Sequence, residues 1–75
     1  GVTSFGLFVQ LPNLIEGLVH VSTMTDDYYR YSEKHQALIG ERRRRVYRLG
    51  DQVNVQLVKV NKEDLQLDFV LPSMP

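Results

Sequence analysis

The chain has 75 residues, no cysteine and a formal net charge of zero, with 43% hydrophobic residues. That length is one small domain, and without cysteine it has neither a disulfide nor a thiolate metal site, so nothing points to a secreted scaffold. A neutral balance argues against indiscriminate binding to nucleic acid, and no apolar run approaches the roughly 20 residues of a membrane span.

Gly1 opens directly on strand-like sequence, so no signal peptide is expected. The first element is TSFGLFVQL, Thr3 to Leu11. Its alternation puts Leu7, Val9 and Leu11 on one face and Phe8 and Gln10 on the other. Pro12 and Asn13 mark a turn. IEGLVHVS is a second short strand, and Gly17 inside it predicts a bulge or a close backbone approach. Thr23, Thr25 and Asp26 predict a loop or one helical turn. Tyr28 to Leu49 is the least regular part, a long excursion with a hairpin expected around Arg42 to Arg45. LGDQ is a turn, and VNVQLVKVN after it is the clearest strand. Val53, Val55 and Leu57 share one parity and Val58 and Val60 the other. Such a switch is what a bulged strand produces when it bends around a small barrel. LQLDFV alternates again, with Leu65, Leu67 and Phe69 inward.

Short strands separated by turns, with no sustained helical period, predict an all-β fold. The expected architecture is a five-stranded oligonucleotide-binding (OB) barrel spanning residues 1–75. A helical turn or an inserted hairpin is expected between its third and fourth strands. Four strands are clear, and the first is expected to be truncated, with only Gly1 to Thr3 left of it.

The two phenylalanines need a particular account, because period-two alternation sends Phe5 and Phe8 to opposite faces. A bulge at Gly6 would reset the parity and leave both rings side by side outside. Two exposed rings on a barrel strand make a stacking platform for unpaired bases. The alternative is that Phe5 fills the core and Phe8 is singly exposed. His20, ending the second strand, could flank the pair, or be a half-buried histidine satisfied by backbone. A metal role has little support: His35 lies in another segment, and Asp26 and Asp27 are adjacent. Ser4, His20 and Asp51 lack any nucleophile elbow, so no small enzyme is indicated. The run ERRRRVYR reads either as a solvated hairpin tip or as a flexible basic arm on phosphates. Asp26, Asp27, Glu63 and Asp64 read as residues that shape the rim, cap turns and keep the domain soluble. A protein-binding module using a Tyr-rich face remains the second reading.

SFGLFV, EGLVHVS, LGDQVNVQLVKVN and LQLDF, in this order, resemble the RNA-binding domain first described in ribosomal protein S-one. PNLIEGLVHVSTMTDDYYRYSEKHQALIGERRRRVYRLGD resembles more closely still the C-terminal domain of the bacterial ribonuclease R family, with its DDYY, LIGE and YRLGD elements. The likeness covers nearly the whole chain; the family's first strand begins about ten residues earlier, a strand and its turn. It implies a barrel that grips single-stranded RNA, near the C-terminus of a cytoplasmic bacterial 3′→5′ exoribonuclease. The fragment itself would not be an enzyme, since the magnesium-dependent catalytic centre belongs to another domain. Its partners would be RNA and the parent chain's other domains, with no membrane, and it would be a monomer. The family's binding face falls on Phe5, Phe8 and His20. A fourth position, often Asp, is Asn61. A fifth, usually Arg or Lys, is Gln66, so a phosphate-binding cation is absent there. Arg42, Arg43, Arg44 and Arg45 complete the expected contacts.

Overall fold

The computed structural model describes residues 1–63 and 66–72. Asp64 and Leu65, expected at the rim and facing inward, lie outside these residues. The described chain is all-β apart from one 3-10 turn, Val21–Thr23. Its strands are β1 Val2–Thr3, β2 Gly6–Gln10, β3 Glu16–His20, β4 Tyr29–Ser32, β5 Ala37–Gly40, β6 Val46–Arg48, β7 Gln56–Asn61 and β8 Gln66–Val70.

Five of them form one sheet in the order β1-β2-β3-β8-β7, and β4-β5-β6 form a second. The large sheet is antiparallel except where β3 runs parallel to β8. It is the OB barrel, partly open, with β1 and β7 as its edges. The small sheet is the insertion between the third and fourth barrel strands. It is more regular than the sequence shows: a three-stranded meander, of which only the β5–β6 hairpin around Arg42 to Arg45 is legible beforehand.

Period-two alternation explains the large sheet. Leu7 on β2 and Val19 on β3 are register partners, and Val19 in turn faces Phe69 on β8. All three are buried. The small sheet contributes Leu38 and Tyr47 to the same core, and Met24 and Leu71 close it. Each such side chain contributes roughly 1.5–3 kcal/mol on burial. Gly17 marks a close approach rather than a bulge, because a Cβ there would run into the Phe69 ring and the Leu67 carbonyl. The expected break in β7 is present: its pairing with β8 shifts between Leu57 and Lys59. Regular strand begins only at Gln56, although half-buried Val53 and Val55 pack against the core. Since β7 is an edge, Leu57, Val58 and Val60 stay about half exposed.

In the small sheet Tyr31, Leu38 and Tyr47 are in register and face the core, while Arg30, Ile39 and Val46 form the opposite row. Tyr29 packs 5.6 Å from Tyr47 and donates its hydroxyl to Asp26 at 2.8 Å. Burial, then that bond to Asp26, pushes the Tyr29 hydroxyl well above its ordinary pKa. Three of the four tyrosines are thus drawn toward the core, while Tyr28 stays exposed.

Both hairpins of this sheet place a non-glycine residue in left-handed backbone, Gln36 at φ 48° and Arg44 at φ 61°. That conformation costs a side-chain-bearing residue about 1–2 kcal/mol, against roughly 0.5–1 kcal/mol of extra chain entropy lost by glycine. Gln36→Gly and Arg44→Gly should therefore each raise stability by roughly 0.5–1 kcal/mol in a denaturant titration. A loss of stability in both would show that the side chains support their turns.

Candidate nucleic-acid interface

The outward face of the large sheet follows from register. Phe8 pairs with Leu18, Leu18 with Asp68, and Asp68 with Lys59, so these four form one row across β2, β3, β8 and β7. His20, Gln66 and Asn61 stand two residues along from Leu18, Asp68 and Lys59, and therefore share that face. Gly6 lies opposite His20.

Phe8 is 39% exposed and Phe5 56%. Both rings stand outside the core, but not through a bulge at Gly6. The pairing of β2 with β3 is continuous from Gly6 to Gln10. Phe5 is outside because β2 starts at Gly6, leaving Ser4 and Phe5 as the turn of the β1–β2 hairpin. Glycine is needed at position 6 for another reason. Its φ is 152°, and a Cβ would collide with the Val19 carbonyl oxygen. The absent side chain lets the Val19 carbonyl of β3 approach Gly6 closely.

His20 is exposed and caps the start of the 3-10 turn, where Thr23 Oγ1 donates to its carbonyl at 2.7 Å. The turn stays beside Phe5, since the Val21 N–H donates to the Phe5 carbonyl at 2.8 Å. Asn61 is half-buried, and its Oδ1 accepts the Glu63 N–H at 3.1 Å, shaping the β7–β8 turn. Gln66 is exposed and pairs with Asn61. Lys59 was missed by the sequence reading. It is an exposed cation one row from Gln66, and it supplies positive charge that Gln66 does not. Its parity after the bulge, shared with Asn61, was the available signal.

The arginine run is not a free arm. Asp27 accepts the N–H groups of Arg42 (3.1 Å), Arg43 (2.8 Å) and its own neighbour Tyr28 (2.7 Å). The Arg42 guanidinium lies 5.4 Å over the Tyr28 ring, and that of Arg45 lies 5.7 Å over Tyr47. Arg45 also meets Asp26 at 3.8 Å. The four guanidinium groups are exposed, but they stand on a fixed hairpin. Arg42 shares a cleft with Val21 and Ser22 of the 3-10 turn.

The Arg43 N–H, followed by those of Arg42 and Tyr28 and by the Arg42 charge, holds the Asp27 carboxyl below its ordinary value of 3.8; partial desolvation opposes them. A depressed folded-state pKa stabilises above the unfolded value and is lost as pH falls through the folded one. Wild-type stability should thus fall more steeply than that of Asp27→Asn as pH drops from about 5 to about 2. Parallel melting-temperature profiles for the two proteins would remove Asp27 as the anchor.

Among the described residues there is no group of three or more His, Asp or Glu that could hold a metal ion. No helix among them is long and apolar enough to cross a membrane.

The S1 RNA binding domain family model matches residues 1–69. The chain belongs to the S1 RNA-binding domain family. This S1 domain is 54% identical over 71 residues to ribonuclease R of Vibrio cholerae, and 49% identical over 73 residues to ribonuclease R of Escherichia coli. The matches cover 93% and 96% of the S1 domain but only 9% of either relative's length. Among solved structures, Mycoplasma genitalium ribonuclease R in complex with ribose-methylated single-stranded RNA superposes with a TM-score of 0.87 at 26% identity. That match covers 95% of the S1 domain and 11% of the Mycoplasma chain; the apo form gives a TM-score of 0.88.

Proposed function

We propose that this S1 domain binds single-stranded RNA, with bases stacked on Phe5 and Phe8. The observation that carries the reading is the pair of exposed rings beside His20, on the outward face of a sheet whose family is an RNA-binding one. Stacking on such rings is sequence-tolerant, which suits a domain that grips whatever strand passes. His20 offers a hydrogen bond beside the rings, and Asn61 and Gln66 offer theirs from the other end of the same face. Arg42, Arg43, Arg44 and Arg45 meet phosphates from their fixed hairpin. Arg44→Gly should then weaken RNA binding while leaving the protein no less stable, whereas Gln36→Gly should leave binding alone.

The S1 domain serves, in this reading, as the substrate-gripping part of a longer ribonuclease R-type chain. The likeness to ribonucleases R over nearly all of the domain and about a tenth of their length supports it. Magnesium-dependent 3′→5′ hydrolysis is assigned to another domain of that chain, acting in the bacterial cytoplasm. The domain itself contributes affinity, as a monomer alongside its parent's other domains.

Titration of the 75-residue chain with labelled single-stranded and double-stranded RNA tests the core of the proposal. Preference for the single strand is the expected result, because paired bases offer no free face for stacking. Equal affinity, or none, would overturn it.

A further inference from the structure

We infer that the cleft between the 3-10 turn and the β5–β6 hairpin holds one further nucleotide of the same RNA strand, its base on Tyr28 and its phosphate on Arg42. The inference rests on the RNA-binding reading above and extends the site to residues outside the sheet face.

Tyr28 is 67% exposed, whereas the ring of Tyr29 packs on Tyr47, and Tyr47 is itself buried. The core has no use for Tyr28, yet its place is closely fixed. Its N–H donates to Asp27 at 2.7 Å, and its carbonyl accepts the Glu41 N–H at 2.9 Å. Arg42 is tied to the same carboxylate through its own N–H. Aromatic ring and guanidinium are therefore positioned together before any ligand arrives, and such preorganisation lowers the ordering cost of binding. A guanidinium plane over a ring is a surface on which a base stacks, while its N–H groups reach phosphate oxygen.

The cleft beside this pair is walled by Val21, Ser22 and Thr25. Those residues belong to the 3-10 turn and its exit, and the same turn is bonded to Phe5 and begins at His20. A strand leaving the Phe5–His20 end of the sheet face thus passes directly to Tyr28. Asp26 and Asp27 also line the cleft, and the nearby Arg45 and Arg42 cations offset their charge. Asp27 holds three backbone N–H groups, and Asp26 takes the Tyr29 hydroxyl and Arg45. Arg42 forms no ion pair among the described residues.

Fluorescence anisotropy with single-stranded RNA of about 4 and about 16 nucleotides separates the two parts of the site. Phe8→Ala should weaken both lengths. Tyr28→Ala should weaken the long strand by about 5- to 100-fold and leave the short one unchanged, because only the long strand reaches past the 3-10 turn. Tyr28→Phe, which keeps the ring, should bind both lengths as the wild type does. If Phe8→Ala loses binding while Tyr28→Ala keeps its affinity for the long strand, the RNA-binding reading stands and the Tyr28 subsite is wrong. Equal losses of both lengths in Tyr28→Ala, or a matching loss in Tyr28→Phe, would also overturn the subsite. Absence of any RNA binding by the wild type would remove both.

Discussion

Replacing Phe8 with alanine should weaken single-stranded RNA binding by about 1–3 kcal/mol, the usual loss for one stacked base, and leave the fold standing. The ring projects from the outward face of β2, opposite Leu18, and does not enter the cluster of Leu7, Val19 and Phe69. What holds residue 8 in place is its backbone: its N–H donates to the Gly1 carbonyl, and its carbonyl accepts from the Gly1 ammonium at 2.9 Å. Alanine keeps both bonds. Leu7→Ala, one residue away on the buried side, provides the contrast. It should cost about 2–5 kcal/mol of stability through a lost core contact. Thermal melting separates the two, and a Phe8→Ala protein that melts like Leu7→Ala would make Phe8 a packing residue instead of a platform.

The sheet face was legible because alternation survives in β2, β3 and β8, where one side is buried and the other wet. Even the β7 irregularity could be read, since Val53 to Leu57 and Val58 to Val60 change parity. Phe5 was harder. The pattern leaves Phe5 either in the core or outside through a bulge, whereas its exposure arises from the two-residue β1–β2 turn, which period counting alone does not distinguish. The small sheet was not legible as a sheet. Its strands have three or four residues, and consecutive Ala37 and Leu38 are both buried, so no alternation develops. The tethering of the arginine run was hidden for a different reason. Asp27 reaches backbone N–H groups 15 and 16 residues away, and such bonds leave no trace in side-chain pattern. The turn-capping role that the acidic pair suggests extends, through Asp27, to the distant arginine hairpin.

That tethering sharpens the result expected when Arg42, Arg43, Arg44 and Arg45 are all replaced by serine. Each phosphate neutralised on a single strand contributes a slope of roughly −0.7 in log affinity against log salt, so four contacts amount to about two to three units. The chain is formally neutral, and most of its salt dependence should come from this one hairpin, with Lys59 adding a smaller share. The hairpin itself should survive. Asp27 binds the backbone N–H groups of residues 42 and 43, which serine retains. Stability is not wholly untouched, because Arg42 over Tyr28 and Arg45 over Tyr47 each contribute about 0.5–1 kcal/mol at exposed positions. The Arg45–Asp26 pair, long at 3.8 Å and with an exposed guanidinium on a largely covered carboxylate, adds about 0.2–1 kcal/mol. A modest fall in melting temperature is therefore expected alongside the flattened slope. Affinity at a single salt concentration does not decide the matter, since any loss of stacking would lower it too. The slopes of the two proteins do decide it: a difference of two to three units places the hairpin on phosphate, and coincident slopes would leave the arginines as a solvated turn that never meets the RNA.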